Sequence, residues 1–287
     1  QAYSQGIKDI DNYIYEIINF VETDSIYQGK TTVFVTNDHG RHTDGVADGF
    51  CSHGDPCDGC QHINLYAFGP DFKKNTIVST ERELGLFRND IQLEEKKITA
   101  EVCTHHLWFS SDDYLEKGTR IKWNPAVKTK ADRAALWDAL NNDLLDVLAT
   151  DHAPHTELEK NQPYLKAPSG GPLVQHALPA LLTAFHKGKI TLEKIVQKAC
   201  HNPAILFDVK DRGFLREGYF ADLVVLDIDK TFEVVKDDLL YQCGWSPFEG
   251  TQFKGAVERT LLNGQWVYKD GIVHSDSAAM ELIFDRT

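Results

Sequence analysis

The sequence has few features that would place the protein in a membrane, on nucleic acid or outside the cell. No apolar run approaches the roughly 20 residues of a membrane-spanning helix, and no signal-peptide pattern stands at the start. Basic residues are outnumbered, with 30 Lys and Arg against 43 Asp and Glu, and the net charge of −13 argues against nucleic acid or an anionic membrane as a partner. The six cysteines show no disulfide-framework spacing. We therefore expect a reducing, cytoplasmic compartment.

The chain also lacks an initiator methionine, and residues 7–22 already carry Ile and Val at helical spacing. We expect it to be a fragment of a longer protein. Its 287 residues suffice for one large domain or two medium ones. A content of 42% hydrophobic and 25% charged residues is ordinary for a soluble globular protein.

One stretch, Ala-Thr-Asp-His-Ala-Pro-His at residues 149–155, concentrates acid and imidazole groups. It follows an apolar run at residues 144–149, which predicts a buried strand. In parallel β/α folds the ends of such strands carry the chemistry, because the loops that follow them converge on one face. Asp151 can there ligate a metal and take a proton from a metal-bound water. The residue types equally allow Asp151 to cap a short helix with Pro154 at its start.

The motifs around this stretch resemble a known family. In chain order they read EVCTHHLWF (101–109), IKWNPAVK (121–128), ATDHAPH (149–155), APSGGPLVQHALP (167–179), HNPAILF (201–207), DRGFLREGYFADLVVLD (211–227) and SPFEG (246–250). In this order and spacing they resemble the second half of a bacterial dihydroorotase of the amidohydrolase superfamily, from about residue 79 onward. The resemblance implies an α/β fold. A partial (β/α) barrel would occupy residues 78–207, and a β-sandwich segment would occupy residues 208–287.

The same resemblance implies a zinc-dependent opening of the cyclic amide of dihydroorotate, a small-molecule substrate. A homo-oligomer is a separate expectation, which the sequence alone does not establish. Zinc in this family is binuclear. His105 and Asp151 match metal ligands, and Asp151 also matches the residue that shuttles the proton. Asn124 and His155 match positions that contact the pyrimidine and its carboxylate. Each has a plainer interpretation: His105 as an ordinary strand-end histidine, and Asn124 before Pro125 as a common turn former.

Several residues that the family would need are missing. No His-x-His occurs anywhere in the sequence, the bridging ligand is absent, and Ile77 stands where the family has a strand-end histidine. A catalytic zinc usually takes three protein ligands. We therefore expect an incomplete zinc centre and negligible dihydroorotate hydrolysis by the isolated chain.

Residues 1–77 carry a second resemblance. A β-branched run at residues 30–36 is followed by Asp38 and His39, and His62 stands at the start of a second strand at residues 61–70. This arrangement resembles the C-terminal part of the alkaline-phosphatase and sulfatase superfamily, an α/β fold in which those three positions ligate metal. The resemblance makes a phosphoester or sulfate-ester hydrolase the enzyme alternative.

The change of resemblance at residues 77–84 predicts a join between two unrelated genes. An inactive chimeric fragment is therefore a third alternative. Cys57 and Cys60 have the spacing of half a zinc site, although no second Cys-x-x-Cys pair follows them.

The remaining pattern predicts the secondary structure that surrounds these residues. We expect strands at residues 98–107, 145–150 and 221–228, helices at 131–140, 172–186 and 192–200, and a hairpin at 257–267 turning at Asn263-Gly264. We also expect residues 208–287 to form a β-rich unit that packs on the preceding helices through Leu206, Phe207, Leu223 and Val225.

Overall fold

The computed structural model describes residues 14–25, 28, 33–36, 65–68, 86–274 and 279–285. It divides the chain into two compact units, Gln1–Ser79 and Thr80–Thr287. The residues assigned to a phosphatase-like metal site, Asp38, His39 and His62, lie outside the described residues, and so does Ile77. The division of the chain into 1–77, 78–207 and 208–287 stays a prediction.

The first unit contains a helix and a pair of strands. Helix α1 covers residues 14–23 and overlaps residues 7–22, where Ile and Val have helical spacing. Strand β1, Val33–Thr36, pairs antiparallel with β2, Leu65–Phe68, so that Val33 stands opposite Phe68. Both strands lie where the β-branched and apolar runs predict them.

The second unit alternates strands and helices first and is then mainly β. Its elements are β3 (Glu101–Cys103), α2 (Thr104–Trp108), α3 (Tyr114–Lys117), α4 (Lys130–Asn141), β4 (Val147–Ala149), α5 (Glu157–Lys160), α6 (Val174–His186), α7 (Leu192–Val196), α8 (Asn202–Leu206), β5 (Leu223–Glu233), β6 (Gln252–Leu262), β7 (Gln265–Lys269) and β8 (Ile272–Val273). Short 3₁₀ turns lie at Leu93–Glu95, Ser111–Asp113, Gly118–Ile121 and Lys236–Asp238, and a π-helical turn, Gln197–His201, joins α7 to α8. None of the described helices combines the length and apolarity needed to cross a membrane.

Strands β3 and β4 form a parallel pair in which Cys103 stands opposite Ala149. The predicted strand at residues 98–107 is therefore too long, because β3 ends at Cys103 and the chain turns into α2. The strand stops where its partner stops. The Thr104 hydroxyl donates to the Ala149 carbonyl at 3.3 Å, and the Phe109 N–H closes the helical turn on His105.

Helix α6 lies at the centre of the hydrophobic core. Eight of its residues are buried, including Leu181 and Leu182, as expected of a helix that is apolar around most of its circumference. Leu181 belongs to a cluster with Val102 and Leu148 of the parallel strands, whereas Ala180 belongs to a second cluster with Trp123 and others. The helix therefore ties the strand ends to the rest of the unit.

The C-terminal strands form one antiparallel sheet in the order β5-β6-β7-β8. The predicted turn between β6 and β7 is confirmed, since Asn263 and Gly264 both have positive φ, 52° and 78°, as a two-residue type I′ hairpin requires. A β-sandwich needs two sheets. The described part of residues 208–287 forms only one, so it supplies at most one face of the expected sandwich segment.

This sheet packs on α6 through β6. Thr183 Oγ1 donates to the Lys254 carbonyl at 3.2 Å and accepts from the Lys254 N–H at 2.9 Å. Gly255 lies against Leu182 with a φ of 100°. Phe207 and Val225, two of the residues predicted to make this contact, are not buried, since 52% and 44% of them remain exposed. Val225 lies on β5 at the edge of the sheet, whereas β6, which packs on α6, is inside it.

Candidate active site

Asp151 lies just beyond β4, which ends at Ala149, and its side chain is exposed. Its φ of 48° is in the left-handed region, which Asp tolerates better than most residues. Helix α5 is capped by Thr156, whose hydroxyl accepts from the Glu159 N–H at 3.3 Å while the Glu159 carboxylate accepts from Thr156. The capping alternative for Asp151 is therefore wrong.

Two histidines on the same loop contact a second loop, residues 167–173. The half-buried His155 donates from Nε2 to the Ser169 carbonyl at 3.0 Å. His152 Nδ1 accepts from the N–H groups of Leu173 and Val174, at 3.0 and 3.3 Å. Because His152 satisfies two N–H groups where α6 begins, its role here is to position that helix.

The second loop is held in place by hydrogen bonds from Lys160, whose side chain is completely buried. Its Nζ donates to the carbonyls of Gly170 (2.7 Å), Pro168 (2.9 Å) and Lys122 (3.3 Å). Burial lowers the pKa of Lys160 to about 8, and the neighbouring Lys122 adds to this lowering. The ammonium form, which supplies three N–H donors, fits the three carbonyls.

The end of β3 presents His105 and His106 at the start of α2. His105 has no exposed surface and stacks on Trp123, with ring centroids 4.3 Å apart. Neither of its ring nitrogens makes a hydrogen bond of ordinary geometry among the described residues, although the Thr150 backbone lies close to the ring. Burial lowers the pKa of His105 to about 3, with His106 adding to this and the Thr150 backbone opposing it. His105 is thus a neutral imidazole, the form that ligates metals.

His106 connects this helix to Asn124. Its Nε2 lies 2.9 Å from the Pro125 carbonyl, and a carbonyl only accepts, so Nε2 carries the proton. Burial lowers the pKa of His106, with the Pro125 carbonyl and Asp151 opposing this shift. Asn124 precedes Pro125 through a cis peptide bond and is exposed.

Cys103, His105 and His106 form the cluster of possible metal ligands found among the described residues. One donor atom from each lies within 4.8 Å of the others. Burial, together with the smaller effects of the Glu101 and Asp151 charges, raises the pKa of the Cys103 thiol to about 12. Asp151 is therefore near enough to act electrostatically on this cluster.

The binuclear zinc centre implied by the resemblance does not fit the described residues. Of the metal ligands that the family resemblance implies, the described residues contain His105 and Asp151. The sequence has no His-x-His and no histidine at position 77. The structure places His105 after β3 and Asp151 after β4, at the same end of a parallel pair. It brings two ligands together and leaves the rest of the centre unaccounted for.

A cavity of about 410 Å³ opens beside α4. Its wall is mostly apolar, with Phe87, Phe109 and Leu136, and it also includes His106, Lys128 and Arg133. His105, Asn124, Asp151 and His155 do not line it. It therefore lies apart from the substrate site that the sequence predicts.

The chain belongs to the amidohydrolase family, whose model matches residues 60–267. Within that family it is similar to dihydroorotases. It is 43% identical over 152 residues to the dihydroorotase of Halobacterium salinarum, covering 53% of this chain and 36% of that protein. It is 34% identical over 194 residues to the dihydroorotase of Clostridium acetobutylicum, covering 67% of this chain and 45% of that protein.

Solved structures agree on an amidohydrolase-type fold for part of the chain. The L-hydantoinase of Arthrobacter aurescens superimposes with a TM-score of 0.59 at 31% identity, over 66% of this chain and 42% of that one. The chain thus spans less than half the length of these relatives. The family match begins at residue 60, so it includes His62 and runs across residues 77–84, where the sequence analysis placed a join.

Sequence reasoning missed Cys103, His152 and Lys160. A Cys-x-His-His at a strand end is a visible signal for Cys103. No sequence signal marks Lys160, because only the fold shows which carbonyls its Nζ contacts.

Proposed function

We propose that this chain supplies the second half of a dihydroorotase-like active site, which opens and closes the cyclic amide of dihydroorotate. The observation that carries the proposal is the register of β3 and β4. Because Cys103 stands opposite Ala149, the chemistry-bearing groups that follow each strand emerge at one edge. The similarity to dihydroorotases supports the choice of substrate.

In this proposal Asp151 moves the proton. Opening a cyclic amide needs a base for the attacking water and an acid for the departing nitrogen. Asp151 is an exposed carboxylate just past a strand end, held in place by the left-handed backbone. It can accept the proton of the water and return it to the amide nitrogen, so one residue serves both steps.

His155 and Asn124 bind the substrate in this proposal. The His155 ring is oriented by its bond to Ser169, and that loop is fixed by Lys160. With Nε2–H bonded to Ser169, a proton on Nδ1 would let the ring donate to a carboxylate, the charged group of dihydroorotate. Asn124 offers an amide that can both donate to and accept from the ring of a pyrimidine.

Zinc is the metal proposed for the assembled enzyme, since imidazole and carboxylate ligands suit it. When bound, it would lower the pKa of water to about 7 and polarise the amide carbonyl. The described residues do not supply the binuclear set, so no step of this chain alone depends on it. The site residues, the metal identity and a homo-oligomeric assembly all belong to the proposal.

A hybrid enzyme tests the proposal. The chain is joined to the first-half residues of the Halobacterium salinarum dihydroorotase, which contain the region that this chain does not match. The hybrid, the chain alone and the hybrid with Asp151→Ala are assayed with zinc for ring opening of dihydroorotate and of hydantoin. We expect turnover of dihydroorotate by the hybrid only. A folded hybrid that opens hydantoin but not dihydroorotate would contradict the substrate, and an active Asp151→Ala hybrid would contradict the mechanism.

A phosphoester or sulfate-ester hydrolase built on Asp38, His39 and His62 is the second candidate, and its support is the sequence motif alone. The inclusion of His62 in the amidohydrolase match weighs against it. Hydrolysis of nitrophenyl phosphate or sulfate by the parent chain, lost in His39→Ala, would establish this activity. Absence of hydrolysis, together with a failed hybrid, would favour the inactive chimera.

A further inference from the structure

The cluster of Cys103, His105 and His106 has the donors of a single-metal site. Cys103 ends β3, and the two histidines occupy the first turn of α2. One donor atom from each lies within 4.8 Å of the others. A tetrahedral zinc, with about 2.3 Å to sulfur and about 2.0 to 2.1 Å to nitrogen, sets its ligands about 3.3 to 3.6 Å apart. Small side-chain rotations therefore bring the three donors to ligand distance.

His105 gives an independent reason to expect a ligand here. It is completely buried, and neither ring nitrogen makes a hydrogen bond of ordinary geometry among the described residues, although the Thr150 backbone lies close to the ring. Buried polar groups are nearly always hydrogen-bonded or bound to a metal, because desolvation without compensation costs free energy. A metal ion would satisfy one of the two nitrogens directly.

His106 is already oriented for the same task. Its Nε2–H donates to the Pro125 carbonyl at 2.9 Å, which leaves Nδ1 with the lone pair. Metal-binding histidines usually donate their other ring N–H to a carbonyl or carboxylate in this way. The bond thus fixes both the tautomer and the donor atom.

We propose that Cys103 Sγ, one ring nitrogen of His105 and Nδ1 of His106 bind a single zinc ion. Binding converts the thiol to a thiolate and releases its proton to solvent, while both imidazoles bind in the neutral form. Three protein ligands leave one position open. The site shares only His105 with the ligands that the family resemblance implies, and it does not require the chain to be an enzyme.

The experiment must separate this site from the other cysteines. Cys51, Cys57 and Cys60 lie outside the described residues, so the full chain is prepared with all three changed to Ser. This background variant is titrated anaerobically with Co²⁺ and followed by the thiolate-to-cobalt charge-transfer band, and zinc is quantified after dialysis.

We expect one zinc per chain and a cobalt band that zinc abolishes. Cys103→Ser should remove the band, and His106→Ala should weaken cobalt binding more than about 100-fold, since even partners outside the ligand shell contribute about 10- to 100-fold. Cys243→Ser is the matched control, because its half-buried thiol donates to the Trp245 carbonyl, and it should keep the band.

Retention of the band in Cys103→Ser, or a folded background variant that takes up neither metal, would overturn the proposal. If the two ligand variants fail to fold, X-ray absorption of the zinc-loaded background variant decides. One sulfur with nitrogen or oxygen neighbours supports the site, and a shell without sulfur refutes it.

Discussion

The buried Lys160 holds the loop of residues 167–173, to which the proposed substrate contact His155 is hydrogen-bonded through Ser169. Lys160 Nζ bonds three carbonyls, two of them on residues 168–170. Each hydrogen bond from a charged group contributes about 1.5 to 3 kcal/mol, and a buried carbonyl left unpaired carries its own penalty.

We predict that Lys160→Met lowers the free energy of unfolding by about 3 kcal/mol. Methionine preserves the apolar stem but removes all three donors. Lys166→Met is the matched control on an exposed side chain, and it should change stability by less than about 0.5 kcal/mol. Urea unfolding at pH 7 gives both values, and equal effects would show that the three bonds do not stabilise the loop.

His176 should make stability fall in mild acid. It is 3% exposed, with Nδ1 3.1 Å from Ser246 Oγ and 3.3 Å from the Tyr241 hydroxyl, and burial lowers its pKa from 6.5 to about 4. Between these two pKa values the unfolded chain binds the proton and the folded chain does not. Stability from this group is therefore present above pH 6.5 and is lost as the pH falls towards 4.

From pH 7 to pH 5 the loss attributable to His176 is about 2 kcal/mol. His176→Gln should be less stable at pH 7 and should lose correspondingly less on acidification. His274→Gln, at an exposed imidazole, controls for removing one histidine. Thermal melts across pH 5–7 measure the difference, and parallel curves for parent and His176→Gln would contradict it.

The contact between β6 and α6 depends on the absence of a side chain at Gly255. A Cβ there would lie 2.5 Å from Leu182 Cβ, and the φ of 100° disfavours any L-residue. Gly271 has a similar φ of 79°, but a Cβ at that position would have nothing within 4 Å. Comparing alanine substitutions at these two glycines therefore separates the cost of steric overlap from the cost of backbone strain.

We predict that Gly255→Ala destabilises the protein by more than about 3 kcal/mol, and that Gly271→Ala costs about 1 kcal/mol from the backbone alone. Chemical denaturation of both variants tests this. Equal losses would mean that the sheet moves off Leu182 without cost.

Several elements were predictable because local signals agreed. Helix α4 has an apolar face, and Thr129 with Asp132 forms a capping box at its start. Asn263-Gly264 fixes its hairpin locally. A site residue such as Asp151 was predictable because it directly follows a strand. Lys160 was not, because its position depends on carbonyls that lie elsewhere in the chain.

Other features depended on contacts that no local pattern encodes. An apolar run does not tell where β3 gives way to α2, because that point is set by the end of β4 at Ala149, far along the chain. Likewise, Val225 fits the apolar pattern of a buried strand, yet its strand lies at the edge of the sheet and the residue is 44% exposed. Sequence periodicity predicts which side chains share one face of a strand, but it does not predict which strands lie beside that strand.

For the chain as a whole, we predict negligible hydrolysis of dihydroorotate. Misplaced catalytic groups cost about a hundredfold, and an attacking water without the metal centre keeps a pKa near 16 instead of about 7. A single zinc on Cys103 would not replace a binuclear centre. Ile77→His should not restore activity, since the His-x-His ligands are still missing.

Zinc-supplemented ring opening, followed spectroscopically, provides the measurement. If the parent chain is active and Asp151→Ala is inactive, the site is complete without further residues, and the assignment to half an active site is wrong.

The exposed edge at β5 bears on how concentrated a solution of this protein can be. Among the described residues β5 pairs on one side only, so its other side offers unpaired backbone to another chain, and Val224 and Val225 are about half exposed there. The register breaks between Asp227 and Thr231, where the Asp227 carboxylate accepts from the N–H groups of Asp229 and Lys230. A charged bulge of this kind blocks strand addition. We expect the Asp227→Val variant to scatter light and to sediment as aggregates. At the same concentrations the control variant Asp237→Val, which is changed outside the strand, should stay clear. If both variants behave alike, the bulge is not what keeps neighbouring chains apart.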